Sequence, residues 1–425
     1  MDAIGIDFGT TNTVLALPEA GIARVLGFVH GNGKLDALRT TLSFRRDPVR
    51  GARPLAEAGP WAIQDFVDAP EDTRFLQSFK SFAASASFTD TAVFTSRYRF
   101  EDLMAAYLGK VKEHGRLERF PRRLAIGRPV TFAGQSPDDA LAQRRYALAL
   151  AQLGFEQVTY VLEPVAAAHF YAQRLTRDAV ILVADLGGGT SDFSVLRFRT
   201  GSGGATAEAL GLSGIGIAGD TFDYRIIDNV VSPRLGKHAT YASWGKTLPL
   251  PKHYFANFSR WNELCLMQRP EVLRELRDLA RTSSARDQLM SLIDLIEGGV
   301  SYELYQAVSR AKAALTDHEQ VPFRFEMSGV SIETRISRTD FESWIAPDLE
   351  RIGATADAAL DKAGLVPRDI DRVFLTGGTS FVPAVRGLFE RRFPADRIDT
   401  REQLLSIAKG LALIAGSADM ERWAA

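Results

Sequence analysis

The feature that most constrains this chain is an acidic glycine turn between two apolar runs at residues 179–196, AVILVADLGGGTSDFSVL. The first run ends at Asp185, and Gly187, Gly188 and Gly189 then lead through Thr190 and Asp192 into the second run. Runs rich in Val, Ile and Leu are typical of strands buried on both faces. Glycine lets the backbone approach an anion closely, so successive N–H groups of the turn can point at one phosphate. The stretch predicts a phosphate-binding hairpin, although a plain hairpin with a loose glycine turn fits the same pattern.

A second copy of this pattern lies close to the N-terminus. Residues 3–17 read AIGIDFGTTNTVLAL, with Asp7 at the end of an apolar run and a turn of Gly9, Thr10, Thr11 and Asn12. Two such units in one chain are an internal repeat. A carboxylate beside a phosphate-binding turn can hold a hydrated divalent cation that neutralises the same phosphates. The repeat therefore predicts two facing hairpins that hold a polyphosphate and its metal from both sides.

A third glycine stretch lies near the end of the chain, where residues 372–383 read RVFLTGGTSFVP. A short strand ends at Gly377 and Gly378, and a helix is predicted to begin at about Pro383. A helix N-terminus beside a glycine turn suits a flat base and its ribose or phosphate. An ordinary strand-to-helix loop fits this stretch equally well.

The bulk composition excludes several classes of protein. The 425 residues are 46% hydrophobic and 24% charged, with a net charge of −1, so neither nucleic acid nor a membrane surface is expected as the main partner. Cys265 is the only cysteine, which excludes an internal disulfide and a cysteine-rich metal site. We find no basic apolar leader and no apolar run near the ~18 residues that span a bilayer. These features predict a cytoplasmic protein.

Strand and helix patterns alternate along the first 177 residues and begin again at the second glycine motif, which predicts a duplicated α/β architecture with a boundary near 175. Residues 232–260 are rich in proline and glycine and are expected to be a packed loop region. A hairpin is expected at 322–336. The predicted helices are at 100–118, 136–153, 270–296, 301–316 and 338–363.

Four stretches together, IDFGTTN, EPVAAA, DLGGGTSDFSV and FLTGGTSFVP, strongly resemble the nucleotide-binding domain of the seventy-kilodalton heat-shock chaperones. That family belongs to the superfamily of actin, hexokinase and heat-shock ATPases. The resemblance implies a two-lobed, actin-like α/β ATPase fold, with duplicated ribonuclease-H-like cores around a deep nucleotide cleft. Lobe I would comprise residues 1–176 with the closing helix at 403–425, and lobe II residues 177–402, including a divergent subdomain at about 232–318.

The resemblance also implies a set of site residues. Asp7 and Asp185 would hold Mg²⁺ through water, with K⁺ as a possible neighbour. Lys80 would orient the attacking water and stabilise developing charge. Glu163 would lie near the waters bound to the metal, and Asp192 would position water. Asp185 and Thr190 complete the set of expected catalytic residues. The residues expected to contact ATP or ADP are Gly9, Thr10, Thr11, Asn12, Gly187, Gly188, Gly189, Thr190, Gly219, Asp220, Lys312, Gly377, Gly378, Thr379 and Phe381.

Several positions depart from the family pattern. The family has two arginines that pack on the adenine, and the corresponding positions here are Ala313 and Phe381, so the cations are gone. The acid that precedes the family lysine is Ser309. The sequence resembles the short, YegD-like members, which implies a chain without its own peptide-binding domain.

The function implied by the resemblance is an ATP-binding, slowly hydrolysing chaperone-like switch that acts on a protein client or with a co-chaperone. One alternative is a sugar or metabolite kinase of the same superfamily, which needs a base aspartate over a substrate hydroxyl, a role that Asp220 could take. Another alternative is a nucleotide-binding, actin-like structural or scaffold protein.

Overall fold

The computed structural model describes residues 2–47, 54–134, 136–173, 177–201, 204–260, 267–298, 301–327, 329–400 and 404–425. Two compact units divide the chain: the first comprises Met1–Ala218, Arg351–Ser380 and Val385–Ala425, and the second comprises Gly219–Glu350 and Phe381–Ala384. The expected lobe boundary at 176/177 stays a prediction. Cys265 lies outside the described residues.

The strands are numbered in chain order. They are β1 (Ala3–Phe8), β2 (Asn12–Glu19), β3 (Ile22–Val25), β4 (Phe28–His30), β5 (Gly33–Leu35), β6 (Leu38–Arg39), β7 (Thr41–Arg45), β8 (Leu55–Ala58), β9 (Thr73–Gln77), β10 (Thr91–Val93), β11 (Ser96–Tyr98), β12 (Arg123–Arg128), β13 (Gln157–Leu162), β14 (Ala179–Leu186), β15 (Ser191–Gly201), β16 (Gly204–Ile215), β17 (Thr240–Ser243), β18 (Lys246–Pro249), β19 (Gln320–Met327), β20 (Val330–Ser337), β21 (Arg372–Thr376) and β22 (Ile398–Asp399).

The α-helices are numbered in the same way. They are α1 (Gly59–Asp68), α2 (Phe100–His114), α3 (Asp139–Gln152), α4 (Glu163–Ala172), α5 (Gly219–Ile226), α6 (Lys252–Phe258), α7 (Pro270–Thr282), α8 (Arg286–Glu297), α9 (Ser301–Asp317), α10 (Arg338–Ala363), α11 (Pro383–Glu390) and α12 (Ser406–Gly416).

The first unit contains two sheets with the same central arrangement. In one sheet the order is β13-β12-β1-β2-β3, with β1 antiparallel to β2 and parallel to β12. In the other the order is β16-β15-β14-β21-β22, with β14 antiparallel to β15 and parallel to β21. Each glycine motif therefore forms the hairpin at the centre of a mixed sheet. The predicted α/β class and the duplicated core are confirmed.

Small residues let helices pack closely on the first sheet. A Cβ on Gly5 would lie 2.2 Å from the backbone nitrogen of Ala412 in α12, and a Cβ on Gly410 would lie 1.7 Å from the carbonyl oxygen of Ala166 in α4. On the apolar side of the other sheet, Tyr171 stacks on Phe374 with ring centroids 3.8 Å apart. Closely packed helices thus fix the backbone on which both glycine turns are built.

The second unit contains α5 to α9, the first half of α10 and two hairpins. The predicted hairpin at 322–336 is confirmed as β19 and β20, and the predicted helix at 338–363 is confirmed as α10. The expectation of a packed loop at 232–260 is wrong in detail, because β17, β18 and α6 form there.

The predicted single helix at 270–296 is also wrong, because α7 ends at Thr282 and α8 begins at Arg286. Ser283 is extended, donates its hydroxyl to the carbonyl oxygen of Thr240 at 3.1 Å, and accepts from the Ala285 N–H at 3.1 Å. Local serine bonds of this kind compete with the helical pattern.

Within the part of the chain that the structure describes, we find no helix that is both long and apolar enough to cross a membrane.

Candidate functional site

The first glycine turn joins β1 to β2, immediately after Asp7. A Cβ on Gly9 would lie 2.3 Å from the carbonyl oxygen of Asn12, so a side chain does not fit at this position. Thr40 holds the turn from outside the motif: its hydroxyl donates to the Gly9 carbonyl at 2.7 Å, and its N–H donates to the Thr11 carbonyl at 2.9 Å. The backbone of the turn is therefore fixed by its neighbours.

The second glycine turn joins β14 to β15 and packs against the third glycine stretch. The Gly187 N–H donates to the Thr190 carbonyl at 3.0 Å, and the Thr379 hydroxyl donates to the Gly187 carbonyl at 2.6 Å. Gly377 has φ of +82°, and a Cβ there would lie 2.2 Å from the Leu186 carbonyl oxygen. Gly378 has open space where a Cβ would be. The structure thus brings the second and third predicted stretches together.

The first and second turns also meet inside the first unit. A Cβ placed on Gly189 would lie 3.0 Å from the hydroxyl oxygen of Thr10. The two turns that the sequence repeat predicted to face each other therefore lie side by side, although their expected phosphate contacts remain predictions.

Lys80 and Glu163 form a buried ion pair beside these turns. Lys80 lies in a 3₁₀ segment, Phe79–Phe82, that follows Ser78 in the left-handed region at φ of +51°, and Glu163 is the first residue of α4. The Lys80 Nζ lies 2.6 Å from Glu163 Oε1, and each side chain is 6% exposed. Burial disfavours the charged lysine, but the attraction of Glu163 outweighs it, so the pKa of Lys80 is raised.

Three more carboxyl groups lie in the electrostatic field of this pair: Asp185 and Asp192 are buried, and Asp7 is partly exposed. Asp185 and Asp192 are directly opposite each other across the β14–β15 hairpin, and Asp192 Oδ1 accepts from the Thr131 N–H at 3.0 Å. Burial first, and the charge of Glu163 second, raise the pKa of Asp7 and of Asp192 to about 7 and raise the pKa of Asp185 well above its usual range.

The attraction of Lys80 lowers all three of these pKa values but does not cancel the shifts. The cluster therefore carries more negative charge than its lysine can neutralise. Such a set of oxygen donors favours a hard cation. Among the described residues no group of three or more His, Cys, Asp or Glu side chains could hold a metal ion by itself. The donor set fits a hydrated cation that keeps most of its waters, as magnesium does.

The remaining predicted site residues lie in the second unit. Gly219 and Asp220 open α5, and Lys312 lies on α9. The Lys312 Nζ is 2.6 Å from Asp223 Oδ1 and 3.1 Å from the Gly219 carbonyl oxygen. Phe381 is 48% exposed. The expected contacts of these residues with a nucleoside remain predictions.

Sequence reasoning missed three residues that the structure places at these sites. Thr40 ties the first glycine turn, Asp223 pairs with Lys312, and Tyr146 lies buried in the electrostatic field of Lys80. Thr40 and Asp223 lie outside any motif, and Tyr146 lies in the middle of an ordinary helix pattern. We find no local signal that could have identified them.

Comparison with known proteins is consistent with this geometry. The family model "Hsp70 protein" matches residues 141–240 and 291–420, which is more than half of the chain. The chain is 25% identical to a chaperone protein HscA homolog of Bordetella pertussis, over 97% of this chain and 57% of that protein. It is 26% identical to a chloroplastic stromal 70 kDa heat shock-related protein of Pisum sativum, over 97% of this chain and 52% of that protein.

An HscA homolog of Azotobacter vinelandii is 24% identical, over 96% of this chain and 57% of that protein. The chain thus spans a little more than half the length of the curated relatives that it matches. The duplicated sheets, the three converging glycine stretches and the extent of the family match lead to one conclusion: the chain belongs to the Hsp70 protein family.

Proposed function

We propose that this chain binds ATP with Mg²⁺ and slowly hydrolyses it to ADP and phosphate, as a chaperone-like molecular switch. One observation carries the proposal. A buried Lys80–Glu163 pair lies among carboxyl groups with raised pKa values, next to two facing glycine turns. Phosphoryl transfer to water needs this kind of positioning and charge neutralisation more than it needs covalent catalysis.

The phosphates would lie between the two glycine turns. In each turn, closely packed glycine and threonine residues leave backbone N–H groups and hydroxyls as the available donors. The turn from Gly9 to Asn12 would hold the phosphates from one side, and the turn from Gly187 to Thr190 from the other. Fixed turns of this kind need little reorganisation when an anion binds.

Asp7 and Asp185 would hold the metal through its waters. Mg²⁺ in this place would neutralise the phosphate oxygens and the surplus carboxylate charge together. Burial and, after it, the charge of Glu163 raise the pKa values of both carboxyl groups, and a cation bound here would favour their charged forms, which supports this placement.

Lys80 and Glu163 would serve the attacking water. In hydrolysis the water oxygen forms a bond to the γ-phosphorus while the bond to the β,γ-bridging oxygen breaks, and the water proton leaves with the products. The fixed charge of Lys80 would stabilise the negative charge that builds on the transferred group. Glu163 would keep Lys80 in place, and Asp192 would orient water from the opposite side.

The nucleoside would contact Gly377, Gly378 and Thr379. The family resemblance also assigns nucleotide contacts to Gly219, Asp220, Lys312 and Phe381. The matched relatives are named as chaperones or as heat shock-related proteins. Those names support a switch whose binding to a client or co-chaperone depends on the nucleotide that it holds. We place the two lobes of that switch at residues 1–176 with 403–425, and at 177–402.

The test is ATP binding by calorimetry and phosphate release under single-turnover conditions. We expect Lys80→Met to slow hydrolysis at least ~100-fold while Mg-ATP affinity changes by only a few fold, because a fixed charge acts on the transition state. Thr190→Val should slow hydrolysis ~10-fold. The control is Lys110→Met, which removes a lysine paired with Glu113 at 2.7 Å on the surface of the same unit.

Circular dichroism confirms that each variant is folded before its rate is measured. Turnover by Lys80→Met at the wild-type rate would contradict the proposal, as would a wild type that does not bind Mg-ATP.

A further inference from the structure

Tyr146 lies in an aromatic cage under the candidate site. It is on α3, and its side chain is 1% exposed. Its ring stacks on Phe100 with centroids 5.8 Å apart, and it meets the rings of Phe8 and Phe132 at 6.1 and 6.0 Å. Because Phe8 directly follows Asp7 in β1, this cage fixes the tyrosine ring relative to the predicted metal-binding strand.

The hydroxyl of Tyr146 is buried and has no hydrogen-bond partner among the described residues. Tyr107, which shares the contact with Phe8, differs in this respect because its hydroxyl donates to the Arg39 carbonyl at 3.1 Å. An unsatisfied buried hydroxyl destabilises the folded state, because it has lost its hydrogen bonds to water. A phenylalanine would fill the same cage without that cost, so packing alone does not account for the oxygen.

The charged groups around the phenol belong to the candidate site. Tyr146 interacts electrostatically with Lys80, Glu163 and Asp7. Burial raises the pKa of Tyr146 far above neutrality, so the phenol keeps its proton and is a hydrogen-bond donor. Glu163 engages the Lys80 ammonium at 2.6 Å, and no hydrogen bond within the described part of the chain engages the phenol.

The residue before Tyr146 holds the segment that carries Lys80. The Arg145 guanidinium donates to the carbonyl oxygens of Phe82 and Ala83, at 2.7 and 3.0 Å, and also to that of Phe88. One turn of α3 therefore fixes the backbone after Lys80 and also places the Tyr146 ring. The phenol and the ammonium are held on a common support, as a preorganised site requires.

We propose that Tyr146 is a further catalytic residue, whose hydroxyl donates a hydrogen bond to the attacking water beside the Lys80–Glu163 pair. This inference rests on the proposed ATP hydrolysis. Tyr146 transfers no proton: it orients the water whose oxygen attacks the γ-phosphorus, and the water proton leaves with the phosphate. The buried, unpartnered phenol supplies a hydrogen-bond donor, whereas an ionised carboxylate can only accept.

The test compares two variants that differ from the wild type by one oxygen atom. Tyr146→Phe should lower the kcat of ATP hydrolysis about 10-fold, keep Mg-ATP affinity within about twofold, and leave the melting temperature unchanged or raised. Tyr107→Phe is the matched control, since it loses the bond to Arg39. It should lower the melting temperature and keep kcat within about twofold.

The outcomes separate this inference from the proposed function. A wild type that hydrolyses ATP and a Tyr146→Phe variant with the same kcat would overturn the role of Tyr146 and leave the proposed function standing. The role of Tyr146 would also be overturned if the melting temperature and the Mg-ATP affinity of Tyr146→Phe fell together with its kcat, because that pattern indicates a structural role. A wild type without ATP turnover would overturn both.

Discussion

Each unit of the molecule contains a lysine paired with a buried carboxylate, and the two pairs differ in what surrounds them. Lys80–Glu163 in the first unit and Lys312–Asp223 in the second both have nitrogen-to-oxygen distances of 2.6 Å. Around Lys80 lie further carboxyl groups whose pKa values are raised. Lys312 is 20% exposed and also donates to a backbone carbonyl.

The difference shows which kind of ion pair points to a ligand. An ion pair whose hydrogen-bonding groups are all satisfied by neighbouring groups adds little net stability. The attraction between its charges does little more than offset the cost of taking both out of water. A pair inside a surplus of buried like charge leaves the folded protein short of positive charge, and either protonation of the carboxyl groups or a bound cation relieves that shortage. The charge surplus around Lys80, rather than its short ion pair, distinguishes the candidate site.

The largest effect should come from removing each lysine alone. Lys80→Met leaves Glu163 buried, unpaired and close to other carboxyl groups, so the free energy of unfolding should fall by about 3–5 kcal/mol. Lys312→Met leaves a single buried carboxyl group without its lysine. Water can reach the partly exposed position of Lys312, so the free energy of unfolding should fall by only about 1–3 kcal/mol. Urea denaturation without nucleotide measures both.

The matched controls are the double variants Lys80→Met with Glu163→Gln and Lys312→Met with Asp223→Asn. Each should recover most of the stability lost by its single variant, because no unpaired charge remains. Equal losses for the two single variants would contradict the distinction between the two pairs.

A substitution at Asp185 should have an effect of intermediate size. The pKa of Asp185 is raised, first by burial and then by Glu163, so the folded state binds a proton more tightly than the unfolded state does. Stability from such a group is lost as the pH rises. Asp185→Asn should therefore stabilise the nucleotide-free protein by about 1–2 kcal/mol, and the gain should grow from pH 5 to pH 8.

The same substitution should abolish the rise in melting temperature that Mg-ATP produces in the wild type. Asp223→Asn is the control from the second unit, and it should destabilise the protein because it leaves Lys312 without its carboxylate. A nucleotide-free Asp185→Asn protein that melts below the wild type at pH 8 would argue against the charge surplus.

The glycine turns could be predicted from sequence because their information is local. Asp185 and the glycines after it lie close together in the sequence, and the similar motif at Asp7 strengthens the prediction. At Gly9 and Gly377 the neighbouring backbone leaves no room for a Cβ atom, so few residues other than glycine fit there. The converging strands and turns of the first unit follow from these short stretches.

The charge surplus could not be read from the sequence in the same way. Lys80 and Glu163 are 83 residues apart, so their contact depends on how the sheet and helices pack. Only the family resemblance marked them beforehand. The break between α7 and α8 was missed for the same reason, since Ser283 bonds to Thr240, 43 residues earlier. Local pattern determines turns, whereas packing determines which charges become neighbours.

The smallest expected effect concerns a partly buried histidine of the first unit whose pKa is shifted by burial alone. Burial lowers the pKa of His169 from 6.5 to about 4, and its ring meets that of Trp423 edge-on at 4.6 Å. The folded state therefore excludes a proton that the unfolded state binds, and stability is lost as the pH falls from 6.5 towards 4. Between pH 6.5 and 5 the loss should be about 2 kcal/mol.

His169→Phe should remove this loss while keeping an aromatic contact with Trp423, so the difference in unfolding free energy between variant and wild type should change with pH over this window. His318→Gln, which removes a histidine from an exposed position, is the matched control. The sign is opposite to that of Asp185, because burial favours the neutral form of each group and the neutral form of histidine is the deprotonated one. If His169→Phe and wild type lose stability in parallel below pH 6.5, burial of His169 does not set its pKa.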